Sequence, residues 1–266
     1  MELISLGDHV LPDRAVFKCD RIMIDEQPGL FGTLPTTNLD SKGGILAVAT
    51  IKGGAGKSTL VACLATFWHL QGQTVALIDA DPNQTLSRWH GKGDVLSNLT
   101  LRTNVDEYSM VGLVNELAQW HDFVLIDCAG FASQAMIFAV GVSDLVLIPV
   151  MTDEANIFEA VRTQKLVDSA SSLTGRQVMT RAVLNRVKRT LVASHARTQL
   201  ESLGVEPLKT SLSDRAIFQE ASFHGSSPIA LLPSSPAATE IKNMVSELES
   251  LPWRNPSASH EAPMIP

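Results

Sequence analysis

Two lysines and a serine in a glycine-rich loop are the residues best suited to chemistry. The stretch Gly43–Thr59 reads GGILAVATIKGGAGKST, in which the apolar run Ile45–Thr50 precedes the loop and a helical pattern follows it. Successive backbone N–H groups around Gly53–Lys57 can form an anion-binding nest at the N-terminus of that helix. Lys57 would then reach the β- and γ-phosphates of a nucleotide, and the Ser58 hydroxyl would ligate Mg²⁺.

The loop departs from the general phosphate-loop pattern G-x-x-x-x-G-K-[ST]. Ile51 stands where the pattern has its first glycine, and a second lysine, Lys52, lies ahead of Lys57. A chance glycine-rich turn after a structural strand is the alternative, but the order of strand, loop and helix favours a nucleotide site. The predicted cofactor-binding residues of this loop are Gly53, Gly54, Ala55, Gly56, Lys57, Ser58 and Thr59.

Two carboxylate motifs follow along the chain. ALIDADPNQTLSRW places Asp79 at the end of a predicted strand with Asp81 two residues later, and WHDFVLIDCAG ends its apolar strand at Asp127. Carboxylates at such strand ends can hold Mg²⁺ through water or orient an attacking water. Asp79 and Asp81 could also cap the next helix, which is compatible with the first role.

Alternating strands and helices must position these residues. The predicted strands are Ile45–Thr50, Val75–Asp79, Leu99–Thr103, Phe123–Asp127, Leu145–Pro149 and Val178–Asn185. The predicted helices are Ser58–Leu70, Thr85–His90, Met110–Trp120, Ser133–Val140, Ile157–Ser171, Leu191–Leu203, Asp214–Phe223 and Pro236–Leu251. Near-continuous apolar strands indicate burial on both faces. The prediction is an α/β fold, a doubly wound, mostly parallel sheet with helices on both faces and ligands at the strand C-termini.

Composition limits the class of protein. The 266 residues are 45% hydrophobic and carry a net charge of −7, which argues against a wholesale basic nucleic-acid binder. The three cysteines include no C-x-x-C pair, so neither a zinc knuckle nor a shared iron–sulfur cluster is indicated; Cys63 and Cys128 are expected to be buried thiols. We expect a cytoplasmic protein with an N-terminal extension over 1–43, one domain over 44–251 and a flexible, proline-rich tail over 252–266.

The motifs resemble the deviant Walker A ATPases of the ParA/MinD superfamily, and ParA-type partition ATPases in particular. The resemblance extends over residues 44–250 and includes a late segment, DRAIFQEA, that begins at Asp214. It implies a P-loop NTPase fold, ATP and Mg²⁺ as cofactors, and a homodimer that forms on ATP binding. In such proteins the helix that follows Pro149 contributes to the face on which the second subunit packs.

The resemblance also implies roles for individual residues. Lys52 would cross the dimer to the partner's nucleotide, so that Lys52, Lys57 and Asp81 form the catalytic set. Asp79 would support the metal site, and Asp127, as the Walker B aspartate, would bind Mg²⁺ indirectly together with Ser58. One departure is Asn83, which stands where the family usually has glutamine.

Two further contacts are predicted with less support from the sequence. Asn185 lies where relatives read the adenine edge, although a strand-ending turn residue is nearly as good an interpretation. Between residues 176 and 215 there are eight Lys or Arg and three acids, which suits salt-sensitive phosphate contact with DNA or an ordinary solvated face. The candidate DNA-binding residues are Arg186, Lys188, Arg189, Arg197, Lys209 and Arg215.

The function implied by the resemblance is that of a slow ATPase, stimulated by a cargo-bound adaptor, that binds DNA non-specifically and positions or segregates a plasmid, chromosome region or protein organelle. Such a protein would be nucleoid-associated in a prokaryote. One alternative is a nucleotide-switched scaffold without DNA-based partition. The other is a MinD-like positioning protein, but the proline-broken tail offers no amphipathic basic helix for a membrane, and no membrane partner is expected.

Overall fold

The computed structural model describes residues 44–254, and a parallel sheet forms the centre of this part. Its strands are β1 (Gly44–Val48), β2 (Val75–Asp79), β3 (Thr100–Thr103), β4 (Phe123–Asp127), β5 (Leu145–Val150), β6 (Met179–Val187) and β7 (Pro207–Ser213). The strand order in this seven-stranded sheet is β3-β2-β4-β1-β5-β6-β7, and every adjacent pair is parallel. The predicted doubly wound α/β fold is therefore confirmed.

Helices connect the strands and cover both faces of the sheet. They are α1 (Lys57–Leu70), α2 (Thr85–His90), α3 (Glu107–Trp120), α4 (Gln134–Val142), α5 (Glu154–Thr174), α6 (Thr190–Ser202), α7 (Ala216–His224), α8 (Pro228–Leu231) and α9 (Pro236–Glu249), with a short 3₁₀ helix at Val95–Asn98. Within the described residues, none of these helices is long and apolar enough to cross a membrane.

Alternation along the buried strands divides the core in two. In β1, Ile45 and Ala47 belong to the cluster beneath α3, α4, α5 and α6, whereas Leu46 and Val48 belong to the cluster beneath α1 and α9. Successive strand residues point to opposite faces, so a strand that is apolar at every position must be covered on both sides. This explains why β1 and β4 are buried throughout.

Side-chain caps fix helix starts that hydrophobic periodicity alone placed too late. Asp106 accepts a hydrogen bond from Ser109 N (2.8 Å), and Asp153 accepts one from Asn156 N (3.1 Å), so α3 and α5 begin one turn before the predicted Met110 and Ile157. The cap satisfies N–H groups that have no partner within the helix.

The structure contains three elements that the sequence patterns did not predict: strand β7, the short helix α8 and the 3₁₀ helix at Val95–Asn98. Strand β7 reads PLKTSLS and lies at the edge of the sheet, where only Leu208 and Leu212 are buried. An edge strand needs few apolar residues, so its sequence carries little signal. Strand β6 also continues to Val187, beyond the predicted end at Asn185.

Two glutamates of α9 cover the free edge of β7. Glu247 accepts hydrogen bonds from the backbone N of Lys209 (2.6 Å) and of Thr210 (2.9 Å), and Glu240 accepts one from Ser213 N (3.0 Å). Edge N–H groups would otherwise be free to pair with another chain. The α9 carboxylates therefore close this side of the sheet.

The packed part of the chain continues past the predicted boundary at Leu251. Trp253 is buried, its Nε1 donates to Leu248 O (2.8 Å), and its ring lies 6.2 Å from that of Phe123. Phe123 in turn stacks on Trp68 at 3.9 Å. Trp253 is thus part of the core and not of a flexible tail. The predicted extension over 1–43 and the rest of the tail, 255–266, lie outside the described residues.

Removal of the Glu247 carboxylate, which binds the backbone of the edge strand β7, should destabilise the domain. We expect Glu247→Ala to lower the free energy of unfolding by about 1–3 kcal/mol, because two backbone N–H groups lose a charged acceptor. Urea denaturation would measure the loss, with Glu201→Ala, an exposed acid of α6, as the control. Equal stability of the two variants would show that the Glu247 hydrogen bonds do not contribute.

Candidate functional site

The glycine-rich loop joins β1 to α1 at the carboxyl edge of the sheet. Gly54 and Gly56 have φ angles of 78° and 96°, in the left-handed region that favours glycine. A Cβ atom at Gly56 would lie 2.3 Å from Nδ2 of Asn185. Both this contact and the positive φ exclude a side chain at Gly56. No side chain caps the N-terminus of α1. Its first N–H groups therefore remain available to an anion.

Lys57 is buried within this loop. Only 6% of its surface is exposed, and its Nζ lies 3.5 Å from the carbonyl oxygen of Lys52. The loop after β4 packs directly against it, since a Cβ atom at Gly130 would lie 3.2 Å from Lys57 Nζ and 3.0 Å from Gly53 Cα. A buried ammonium with one long hydrogen bond is suited to an incoming phosphate. The Gly130 loop is close enough to respond to that phosphate.

Asp127 lies beside the loop as a buried and unpaired carboxylate. Strand register places Asp127 between Val48, the last residue of β1, and Asp79, the last residue of β2. Asp127 is 0% exposed, and within residues 44–254 neither of its oxygens has a hydrogen-bond partner. Burial raises its pKa to about 7, and the charge of Asp79 adds to the rise. The Ser58 hydroxyl lowers that pKa in part, although it makes no hydrogen bond of good geometry.

These groups fit a Mg²⁺ ion bound together with a phosphate. Hard oxygen donors such as Ser58 and Asp127 suit Mg²⁺, which usually keeps several waters and binds through one or two protein groups plus substrate phosphates. The described residues contain no cluster of three or more His, Cys, Asp or Glu that would hold a metal alone. A cation here would therefore depend on the nucleotide.

Asp79 contacts the first turn of α2, as expected from its alternative, helix-capping role. Its Oδ2 accepts hydrogen bonds from Ser87 N (2.8 Å) and Ser87 Oγ (2.6 Å), and its Oδ1 accepts one from Asp81 N (3.2 Å). The carboxylate thus ties β2 to α2 and fixes the backbone of Asp81. Any metal role of Asp79 would be exerted through this positioning and stays a prediction.

Asp81 is held by the residue that departs from the family pattern. Asn83 donates to Asp81 Oδ1 from its backbone N (2.9 Å) and from its side-chain Nδ2 (3.0 Å). The shorter asparagine is suited to this contact, because both donors come from one residue two positions along the chain. The half-buried Asp81 carboxylate is therefore oriented by Asn83, which the sequence identified only as a departure from the family pattern.

Asn185 braces the phosphate loop. Its Nδ2 donates to Ala55 O (2.8 Å), and its Oδ1 accepts from Arg186 N (2.9 Å). Bidentate reading of adenine would need both of these atoms, so the amide is not free for it in this arrangement. Asn185 does line a cavity of about 160 Å³ next to Gly56, together with Trp89 and Phe218. The base contact of Asn185 stays a prediction.

The structure divides the six candidate DNA-binding residues into two groups. Arg197 donates to the β7 carbonyls of Leu208 and Lys209, and Arg215 pairs with Glu240 at 2.8 Å. Those two guanidinium groups stabilise β7 and α9. The other four side chains are exposed: Arg186, Lys188, Arg189 and Lys209. Lys188 lies 3.6 Å from Asp214 in an exposed ion pair, which is worth little in water.

The two described cysteines are buried, and burial raises the pKa of each thiol to about 12. Neither Cys63 nor Cys128 is therefore a reactive thiolate at neutral pH. This confirms the expectation that both are buried thiols.

The unpaired Asp127 should make metal-free stability depend on pH. The folded protein keeps the Asp127 proton up to about pH 7, whereas the unfolded chain loses it near pH 4, so a rise in pH between these values favours unfolding. In EDTA at pH 8 we expect the free energy of unfolding of Asp127→Asn to exceed that of wild type by roughly 1–3 kcal/mol. At pH 5 this difference should be smaller.

Urea denaturation at both pH values would measure this effect. The control is Asp168→Asn, an exposed carboxylate of α5, which should change stability by less than about 0.5 kcal/mol at either pH. A less stable Asp127→Asn variant at pH 8 would contradict the assignment, because it would mean that the folded protein stabilises the Asp127 carboxylate.

Comparison with known proteins agrees with this fold. The family model described as VirC1 protein matches residues 44–245. The chain is 30% identical over 207 residues to the maintenance of carboxysome distribution protein A of Halothiobacillus neapolitanus, covering 76% of this chain and 95% of that protein. It is 29% identical over 178 residues to protein ParA of Rhizobium radiobacter, covering 65% and 80%.

A solved structure shows the same fold. The cell division ATPase MinD of Pyrococcus furiosus superposes with a TM-score of 0.63 at 18% identity, covering 78% of this chain and 98% of that one. The family match spans most of the described residues, and the phosphate loop with its second lysine, Lys52, lies inside it. The chain belongs to the VirC1 family, within the ParA/MinD superfamily of deviant Walker A ATPases.

Proposed function

We propose that this protein hydrolyses ATP as a dimer that forms on ATP binding, binds DNA without sequence preference and thereby positions or segregates a cargo. One observation carries the catalytic part of this proposal: the buried, unpaired Asp127 lies at the strand end next to a loop that holds the buried Lys57. Such a carboxylate costs folding free energy, and a nucleotide with its metal ion explains why it is present.

The residues of one subunit divide the work at the phosphates. The N–H groups of Gly53–Lys57 and the Lys57 ammonium bind the phosphate oxygens. Ser58 and Asp127 would hold Mg²⁺, which neutralises charge on the phosphates when it is bound. Asp81, oriented by Asn83, accepts a hydrogen bond from the attacking water and fixes its direction toward the γ-phosphate.

Lys52 makes the reaction depend on the second subunit. Lys52 is half-buried beside the exposed Gly53 and Gly54 at the surface of the loop, from which it can cross to the partner's phosphates. A positive charge supplied there stabilises both the closed dimer and the transition state. Hydrolysis removes the γ-phosphate that holds the two subunits together, so the dimer separates.

DNA binding would follow from dimerisation. Exposed Arg186, Lys188, Arg189 and Lys209 give each subunit a modest basic surface, and such surfaces contact phosphates without reading sequence. Two linked copies bind much more tightly than one, because the second binding step is intramolecular. The ATP state would therefore be the DNA-bound, nucleoid-associated state.

The cargo would be recognised through an adaptor that stimulates hydrolysis. One relative is named for the maintenance of carboxysome distribution, so a protein organelle is a candidate cargo, beside a plasmid or a chromosome region. Local release of the protein from DNA near the adaptor would leave a concentration gradient along which the cargo moves.

Dimerisation should separate the roles of Lys52 and Asp81. We expect Lys52→Ala to abolish ATP-dependent dimers, because the charge that crosses the interface is removed. Asp81→Ala should instead accumulate ATP-bound dimers and reduce turnover by at least about 100-fold. Analytical ultracentrifugation with Mg²⁺ and ATP, together with phosphate release, would measure both. Lys242→Ala, an exposed lysine of α9, is the control, and ATP-dependent dimers of Lys52→Ala would refute the crossing role.

DNA retention should depend on ATP, on salt and on the exposed arginines. We expect Arg186→Ala/Arg189→Ala to weaken binding to random duplex DNA and to reduce the slope of log affinity against log salt by about one unit for each phosphate that is no longer neutralised. Arg102→Ala, an exposed arginine of the opposite edge strand β3, should leave both quantities unchanged. No retention of the wild type at low salt would favour the nucleotide-switched scaffold instead.

A further inference from the structure

A buried hydroxyl of α5 holds the entrance to the phosphate loop. Thr163 is 0% exposed, and its Oγ1 accepts a hydrogen bond from the backbone N of Ile51 at 3.3 Å. The same hydroxyl donates to the carbonyl of Glu159, one helical turn earlier, at 2.8 Å. A threonine hydroxyl has one proton and two lone pairs, so both bonds can exist together.

Ile51 lies beyond the end of strand β1 and is no longer part of the sheet. Strand β1 ends at Val48, and Ala49 N still donates to Leu147 O of β5 at 3.1 Å. Two residues later the Ile51 N–H receives its partner from a helix and not from a strand. A partly buried N–H group needs such a partner, and Thr163 is the side chain that supplies it.

The next residue, Lys52, is held from two sides. The Ile51 N–H before it is bound by Thr163, and the Lys52 carbonyl accepts from Lys57 Nζ at 3.5 Å. A phosphate bound by Lys57 would compete with this long bond to the Lys52 carbonyl. The Thr163 hydrogen bond then remains to fix the direction in which Lys52 leaves the sheet.

We propose that Thr163 is a positioning residue for Lys52, through which α5 sets the reach of that lysine. The inference rests on the proposed function in so far as Lys52 acts on the partner's nucleotide. The exposed Phe158 lies on the same helix with the Arg162 guanidinium 4.9 Å from its ring.

The tether itself can be tested without any activity. We expect Thr163→Val, which keeps the shape but removes the hydroxyl, to raise amide hydrogen exchange at Ile51 and Lys52 by at least about threefold in the nucleotide-free full chain. Thr163→Ser should restore the wild-type rate. The matched control is Thr66→Val, a threonine of α1 that is equally buried and whose hydroxyl has no hydrogen-bond partner among residues 44–254. Unchanged exchange at Ile51 in Thr163→Val would overturn the proposal.

The link to Lys52 needs kinetics. Thr163→Val should lower kcat for ATP about three- to tenfold and leave the KM for ATP within about twofold, because the groups that bind the phosphates stay in place. Thr163→Ser should recover kcat, and Thr66→Val should match wild type. In a Lys52→Ala background, Thr163→Val should have no further effect.

An equal loss of kcat in the Lys52→Ala background would overturn the proposal, since Thr163 would then act elsewhere. The hydrogen-exchange and kinetic experiments also distinguish this inference from the proposed function. If wild type shows no ATP turnover, the proposed function fails, while the exchange rates at Ile51 still decide whether the tether exists.

Discussion

The cost of burying Asp127 without a partner is the physical constraint around which the site is built. An ionised carboxylate away from water must be compensated by hydrogen bonds or by a cation. Here strands β1, β2 and β4 place it where, within residues 44–254, neither of its oxygens makes a hydrogen bond of good geometry. Burial therefore keeps Asp127 protonated up to about pH 7, and a bound cation would favour its ionised form. Cation binding and folding stability would then be linked.

The parallel sheet creates this arrangement because it brings the carboxyl ends of successive strands to one edge. Residues far apart in the sequence, such as Gly53 and Gly130, then come so close that a methyl group on Gly130 would lie only 3.0 Å from Gly53 Cα. Close packing of the two loops has a functional consequence. A change in one loop, such as the loss of a bound phosphate, would therefore affect the other.

Sequence patterns predicted the central part of the fold well and its edge poorly. Strands β1, β2, β4 and β5 are apolar on both faces, and their periodicity alone indicates a buried parallel sheet. Strand β7 is half-solvated and depends on Glu240, Glu247 and Arg197 for its backbone partners. Such long-range side-chain hydrogen bonds leave no local pattern, which is why the sequence analysis missed β7.

The same distinction applies to the site. Lys57, Ser58, Asp81 and Asp127 could be identified because the motif spacing is local. The residues that hold the phosphate loop in place could not be identified in this way. Thr163 and Ile51 are 112 residues apart in the sequence, and Asn185 and Ala55 are 130 apart. Asn185 was noticed for its amide, but only the fold shows that this amide faces the loop and not a base. Motifs thus predict the groups that would react, and tertiary structure identifies the groups that hold them.

The packing of Trp253 bears on how the domain can be joined to other segments. A Cβ atom on Gly44 would lie only 2.8 Å from the nearest atom of the six-membered ring of the Trp253 indole. The first and last described residues of the domain therefore meet, at the sheet edge opposite the phosphate loop. A short linker could connect them, and new ends could be opened elsewhere, because domains with adjacent termini tolerate circular permutation.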